Sequence, residues 1–319
     1  IGFTSPILGL QYIGNSTHTT DLNGSSNLQV DGPLYVGYGG SSNGANVTWT
    51  NGGSVGVGSI SAVQSINIGR LSSGSMSGSL SINNTDFMAY VDHFIIGYKQ
   101  ASSGIGVVTG TLTLGTGSNM NIEGNGSGTG NLYIGSNSDL SGSSTGILDV
   151  RQGSFVSDLD YLIVGSSNGG TTTGTLKWDQ TNPLYANYVR FGSGKNATGI
   201  LDVPSNGTFL LGTATDPIGE LSIAYDGGSS TAAGTTTAHL DFTVTNPTFT
   251  GYIDNLLLIG RKVTGHGVTT LDGSLTLGSK SYLEVGSLAN VTLASNSDQD
   301  GSSTAVLDVR QGSFVTDLD

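Results

Sequence analysis

The chain has 319 residues, 52 of them glycine and none cysteine, and carries a net charge of −13 from 23 acidic and 10 basic side chains. That balance argues against a nucleic-acid or anionic-membrane partner, and the lack of cysteine excludes disulfides and thiolate metal sites. No apolar run approaches the roughly 18 residues of a membrane span, and no Ala/Leu/Glu/Lys-rich stretch supports a long amphipathic helix.

Apolar residues come in groups of a few, separated by Gly, Ser, Asn and Thr, which predicts many short strands with frequent turns. A first element recurs along the chain: Tyr12-Ile13-Gly14, Tyr35-Val36-Gly37, Asn67-Ile68-Gly69, Ile95-Ile96-Gly97, Tyr133-Ile134-Gly135 and Ile163-Val164-Gly165. Degenerate copies follow at Gly192 and Ala224, then Leu258-Ile259-Gly260 and Thr292-Leu293-Ala294. After each comes a polar loop and a second element, apolar-x-apolar. Its copies are Leu28/Val30, Val47/Trp49, Leu80/Ile82, Leu112/Leu114, Leu148/Val150, Leu176/Trp178, Leu201/Val203, Leu240/Phe242, Leu275/Leu277 and Leu307/Val309. Side chains alternate across a strand, so each pair faces one way and its middle residue the other. The middle residues are Gln29, Thr48, Ser81, Thr113, Asp149, Lys177, Asp202, Asp241, Thr276 and Asp308, all polar. A third apolar element closes most units, as in Phe155-Val156 and Tyr282-Leu283-Glu284-Val285.

A longer repeat overlies this one. Ser144 to Asp160 recurs as Ser303 to Asp319, and Phe87 to Asp92 is echoed by Phe249 to Asp254. The chain therefore divides into two related halves, 1–160 and 161–319, continuous with each other. A unit of about 31 residues with three short strands cannot bury its own apolar face, whereas stacked units build one core. The expectation is an all-β, right-handed parallel β-helix of about ten coils, roughly 4.8 Å apart. A β-sandwich would give no reason for copies in register.

The segment from Leu34-Tyr35-Val36-Gly37-Tyr38-Gly39-Gly40 to Thr50-Asn51-Gly52-Gly53-Ser54-Val55 resembles the repeats of bacterial autotransporter passenger domains and related β-helical adhesins. Val91 to Gly97 and Gly110 to Gly115 are similar to repeats in uncharacterised secreted fungal proteins. The resemblance lies in glycine and aliphatic spacing. It implies a secreted or cell-surface solenoid and carries over no catalytic residue.

Few residues suggest chemistry. Asp158 and Asp160 with Arg151 form an acidic–basic set of the kind β-helical polysaccharide lyases use, but it recurs at Arg310, Asp317 and Asp319, as a structural corner would. His18, His93, His239 and His266 lack ligand spacing, so no metal site is expected. His239 shares a strand face with Asp241, which reads as surface pairing. Gly104-Ile105-Gly106 and Gly124 to Gly128 read as corners, with no helix following to cradle a phosphate. Thr171 to Thr173 and Thr235 to Thr237 suggest a threonine array, but most coils lack the pair. Trp49 and Trp178 sit at inward positions. No catalytic residue or cofactor is expected.

Candidate N-glycosylation sequons stand at Asn15, Asn23, Asn46, Asn83, Asn125, Asn196, Asn206 and Asn290. The functional expectation is a structural extracellular or cell-surface filament or adhesin, glycosylated, with itself and glycans as partners. The alternative is a β-helical polysaccharide-acting enzyme or carbohydrate-binding module. The opening on Ile1-Gly2-Phe3, without a signal peptide, reads as a processed or excerpted chain, and the stop at Asp319 as a coil awaiting its successor.

Overall fold

The computed structural model describes residues 11–13, 17–21, 27–39, 43–100, 104–126, 128–228, 231–263, 267–286, 289–297 and 300–316. Among them are 26 strands and no helix. The strands stack in parallel as a three-faced β-solenoid. Each second-element strand pairs with its equivalent in the next coil, giving a ten-stranded sheet from Thr17–Asp21 to Gly301–Asp308. The other two faces join into a 16-stranded sheet. They join because long strands such as Asp86–Lys99, Ser154–Ser167 and Thr248–Lys262 run from the third face of one coil straight into the first face of the next.

The solenoid makes about eight turns, fewer than the ten expected. Among the described residues, the two outermost of the ten second-face strands have a neighbour on one side only. One copy of the second element also belongs elsewhere. Leu28 and Val30 lie on the third face, where Asn27–Val30 pairs with Ser54–Val57. The true first copy is Thr17–Asp21, in register with Val47 and Trp49 through His18 and Thr20. It carries no apolar pair, so the sequence pattern slid forward to the next one. The other copies fall in register, for instance Leu80, Leu112, Leu148, Leu176 and Leu201.

Inward side chains of the three faces form the main core. Its widest part is aromatic: Trp178 meets Phe209 edge-on at 5.7 Å, and Phe242 stacks on Phe249 at 4.2 Å. Trp49 and Trp178 are buried here, as their inward positions required.

A second feature shapes the cross-section. Among the described residues, the glycine ending each first element adopts a left-handed conformation, for example φ 73° at Gly97 and 73° at Gly135. Degenerate copies keep it, with φ 54° at Ala224 and 50° at Ala294. From Gly37 to Ala224 these residues press on a small residue of the second face one coil on. The facing pairs are Gly37–Gly78, Gly69–Gly110, Gly97–Gly146, Gly135–Gly174, Gly165–Gly199, Gly192–Ala238 and Ala224–Gly273. No pair holds two alanines, because the backbones are too close for two Cβ atoms. A Cβ on Gly146 would lie 2.0 Å from the Gly135 amide nitrogen.

This seam divides the interior. Beyond it the first and second faces continue as a narrow wing with its own contents. Leu71, Met76 and Val108 form a small apolar cluster there. Further along the column of Leu71 stand Lys99, Asn137, Ser167, Asp226 and Lys262, all buried. Buried charge is tolerated only when paired or fully hydrogen-bonded. Lys99 Nζ lies 3.0 Å from Asp139 Oδ2, and Lys195 Nζ lies 2.6 Å from Asp226 Oδ2 and 2.5 Å from Thr269 Oγ1. Lys262 donates to the carbonyls of Gly267 and Asp300. Ser144 and Thr236 tie the wing's walls together by donating to the Gly97 and Gly194 carbonyls at 2.6 Å.

Candidate functional site

The acidic–basic set expected around Arg151 does not assemble. The Arg151 guanidinium clasps Asp149, with Nε 3.0 Å from Oδ1 and Nη2 2.7 Å from Oδ2, and approaches Asp202 at 3.8 Å. Burial pushes the Asp149 carboxyl up, but hydrogen bonds from the Arg151 side chain and amide, with the charges of Arg151 and Lys177, outweigh it and hold it below the usual range. Asp158 instead faces outward on the third face, and Asp160 accepts from Asn187 at 3.2 Å. The same clasp recurs between Arg310 and Asp308, whose carboxyl is held at about 2 mainly by the Arg310 side chain. Asp317 and Asp319 lie outside the described residues.

The histidines also stay apart. His93 Nδ1 lies 2.9 Å from Asp92 Oδ2, and its ring stacks on Tyr133 at 6.1 Å. His239 meets Ser274 Oγ at 2.8 Å and Asp272 Oδ2 at 3.5 Å rather than Asp241. A Ser–His–Asp row is thus present, but on an open sheet surface with His239 and Asp272 about half exposed. The strand that carries Ser274 is paired on both sides, which commits its backbone amides to the ladder. The His18 side chain and all of His266 lie outside the described residues. Among those residues no group of three or more His, Asp or Glu could hold a metal ion.

Register brings the threonines closer than the sequence suggested. Thr109, Thr145, Thr173, Thr198 and Thr237 form one outward column across five successive coils of the second face. A Thr-x-Thr pair occurs only at some coils, as at Thr109/Thr111 and Thr173/Thr175. Asp149, Lys177 and Asp202 line up in an alternating charge column beside it.

Two outward surfaces had no simple signal in the sequence. On the first face, Arg70 sits within 5.5 Å of the Tyr35, Tyr38 and Tyr98 ring centres. Arg190 likewise lies among Tyr161, Tyr188 and Tyr225, with Nε 2.8 Å from Glu220 Oε1. Tyr161 and Tyr188 stack at 4.5 Å with planes 12° apart, so their facing sides are covered by each other. On the third face lies a cavity of about 460 Å³, bordered by Asn27, Ser54, Asp86, Asn119 and Ser154 on one side and by Met88, Asn121 and Val156 along its floor.

The sequons differ sharply. Asn125 is exposed in a turn, where its Oδ1 accepts from Thr129 Oγ1 at 2.8 Å, and Asn206 is exposed at another, with Lys280 Nζ 2.9 Å from its Oδ1. Asn46 and Asn290 are exposed on strands. Asn83 is packed against Gly115. Asn196 spends its Nδ2 on the Gly169 and Ala233 carbonyls, at 2.6 and 3.3 Å. Asn15 and Asn23 lie outside the described residues.

No family model, no curated protein and no solved structure matches this chain.

Proposed function

We propose that this chain is a structural element of an extracellular or cell-surface filament, built by stacking β-solenoid coils and glycosylated on its corners. The observation that carries the reading is the unbroken coil-to-coil register of the ten-stranded face, with the Asp–Arg clasp repeated at Asp149/Arg151 and Asp308/Arg310. A structural device is expected to repeat along a rod, whereas an active site needs one constellation. A stack of parallel strands can be extended by pairing with a second copy or with further coils. The acidic, lysine-poor and Ser/Thr-rich composition supports an extracellular setting.

Electron microscopy and sedimentation of the purified chain test this reading. Fibres one solenoid wide are expected. Monodisperse particles of 32.4 kDa at every concentration would refute self-assembly. Expression through a eukaryotic secretory pathway should glycosylate Asn125 and Asn206. Asn196 should stay bare, since attachment would replace one of the two amide hydrogens it donates to the Gly169 and Ala233 carbonyls.

A further inference from the structure

The third-face cavity is built from two outward columns across five coils. Asn27, Ser54, Asp86, Asn119 and Ser154 stand in one column. Gln29, Gly56, Met88, Asn121 and Val156 stand in the next. The first column is a polar rail: Ser54 Oγ donates to Asn27 Oδ1 at 2.6 Å, and Asn119 Nδ2 to Asp86 Oδ1 at 2.7 Å. The second column supplies an apolar floor, with Met88 38% and Val156 43% exposed. Between these two, Asn121 gives its Nδ2 to Glu123 Oε1 at 2.5 Å, while its Oδ1 is shut from solvent with no donor.

The electrostatics narrow the ligand. Asp86 borders the cavity, Glu123 and Asp158 stand one column further on, and no Lys or Arg side chain lines it. An anionic polymer would meet only carboxylates. A peptide would bind a sheet by adding a strand, but the strands beneath this cavity are already paired on both sides through most of its length. The volume lies within the usual range of ligand sites.

We propose that this groove binds a linear amino-sugar polysaccharide bearing free amines. The chain lies along the rod axis, an amine on the exposed Asp86 carboxylate, within the field of Glu123 and Asp158 one column further on, and its C–H faces on Met88 and Val156. This goes beyond the structural reading and does not depend on filament formation.

Calorimetric titration of the purified chain with a glucosamine hexamer tests it, with an N-acetylglucosamine hexamer and a galacturonate oligomer as comparisons. The glucosamine hexamer should bind best. Asp86→Asn should weaken it about tenfold, the loss of one charge-assisted contact. Val156→Lys, which puts a cation on the groove floor, should abolish binding. Asp241→Asn removes the same charge from the second face and should leave affinity unchanged. No binding of the glucosamine hexamer overturns the proposal. So does equal binding of the acetylated or uronate oligomer, or an equal loss in Asp241→Asn, which would mean attraction to net charge alone. Circular dichroism of each variant checks that the fold is intact, and these are outward-facing positions.

Discussion

Gly146→Ala places a methyl group in the seam between the first and second faces. An added Cβ would lie 2.0 Å from the Gly135 nitrogen and 2.3 Å from the Ile96 oxygen, both backbone atoms. Carbon contacts normally close to roughly 3.5 Å, so the two backbones must part by more than an ångström. Strands on both faces belong to continuous ladders, and parting them strains or breaks two or three hydrogen bonds. With about 1 kcal/mol net for each, and about 1–3 kcal/mol for a buried group left unpaired, the loss comes to about 3–5 kcal/mol. Ala224→Gly is the converse test. It removes a side chain held at φ 54°, worth about 1–2 kcal/mol, against about 0.4–1 kcal/mol for a more flexible unfolded chain. Losing the buried methyl costs about 0.8 kcal/mol as well, so the net change should be within about 1 kcal/mol of zero, far from the loss in Gly146→Ala. Gly228→Ala serves as control, since among the described residues its added Cβ meets Asp226 Oδ1 at an ordinary 3.5 Å. Urea unfolding followed by circular dichroism reads all three. Equal stability of the Gly146→Ala and Gly228→Ala variants would show that the seam is not a close contact.

Asp226→Asn strips the carboxylate from a pair in which both side chains are 1% exposed, leaving the Lys195 ammonium buried without its counter-charge. The single change should cost about 3–5 kcal/mol, and the double change Lys195→Met/Asp226→Leu should recover most of it; equal instability of the two would remove the ion pair from the account. Arg151→Gln removes the guanidinium hydrogen bonds and charge that help depress Asp149, while the backbone amide of residue 151 and the Lys177 charge remain. A depressed carboxyl contributes stability above its unfolded pKa of about 3.9 and loses it as pH falls through the folded value. The variant should therefore be less stable near neutrality by about 0.5–1 kcal/mol, a deficit that closes below about pH 4; a gap that persists in acid would point to lost packing instead.

The solenoid was legible because its apolar-x-apolar pairs repeat in step with polar middle residues, and inward/outward alternation at Leu112, Leu148 and Leu176 follows directly. It failed at the first coil, where Thr17–Asp21 is held in place by pairing with Asn43–Thr50 and has no apolar pair of its own. The second-face half of the seam had a signal that went unread: Gly110, Gly146, Gly174 and Gly199 each stand two residues before the first leucine of the pair. Only the register shows that they face the first-element glycines one coil back. The buried lysines had no signal, since Lys99 and Lys262 follow the same alternation as any outward-leaning polar residue. Arg151 and Asp158 are close in sequence but part at the corner between the second and third faces, which spacing alone does not reveal.

The seam gives the rod the cross-section of a beam with a fin: a broad body of packed aliphatic and aromatic side chains, a thin web where two backbones touch, and a narrow flange beyond it. Such a section has unequal second moments of area. Bending toward or away from the fin must stretch or compress material far from the neutral axis, whereas bending across it need not. A filament of these coils would be stiff in one plane and compliant in the other, so its thermal undulations would be ribbon-like rather than those of a round fibre.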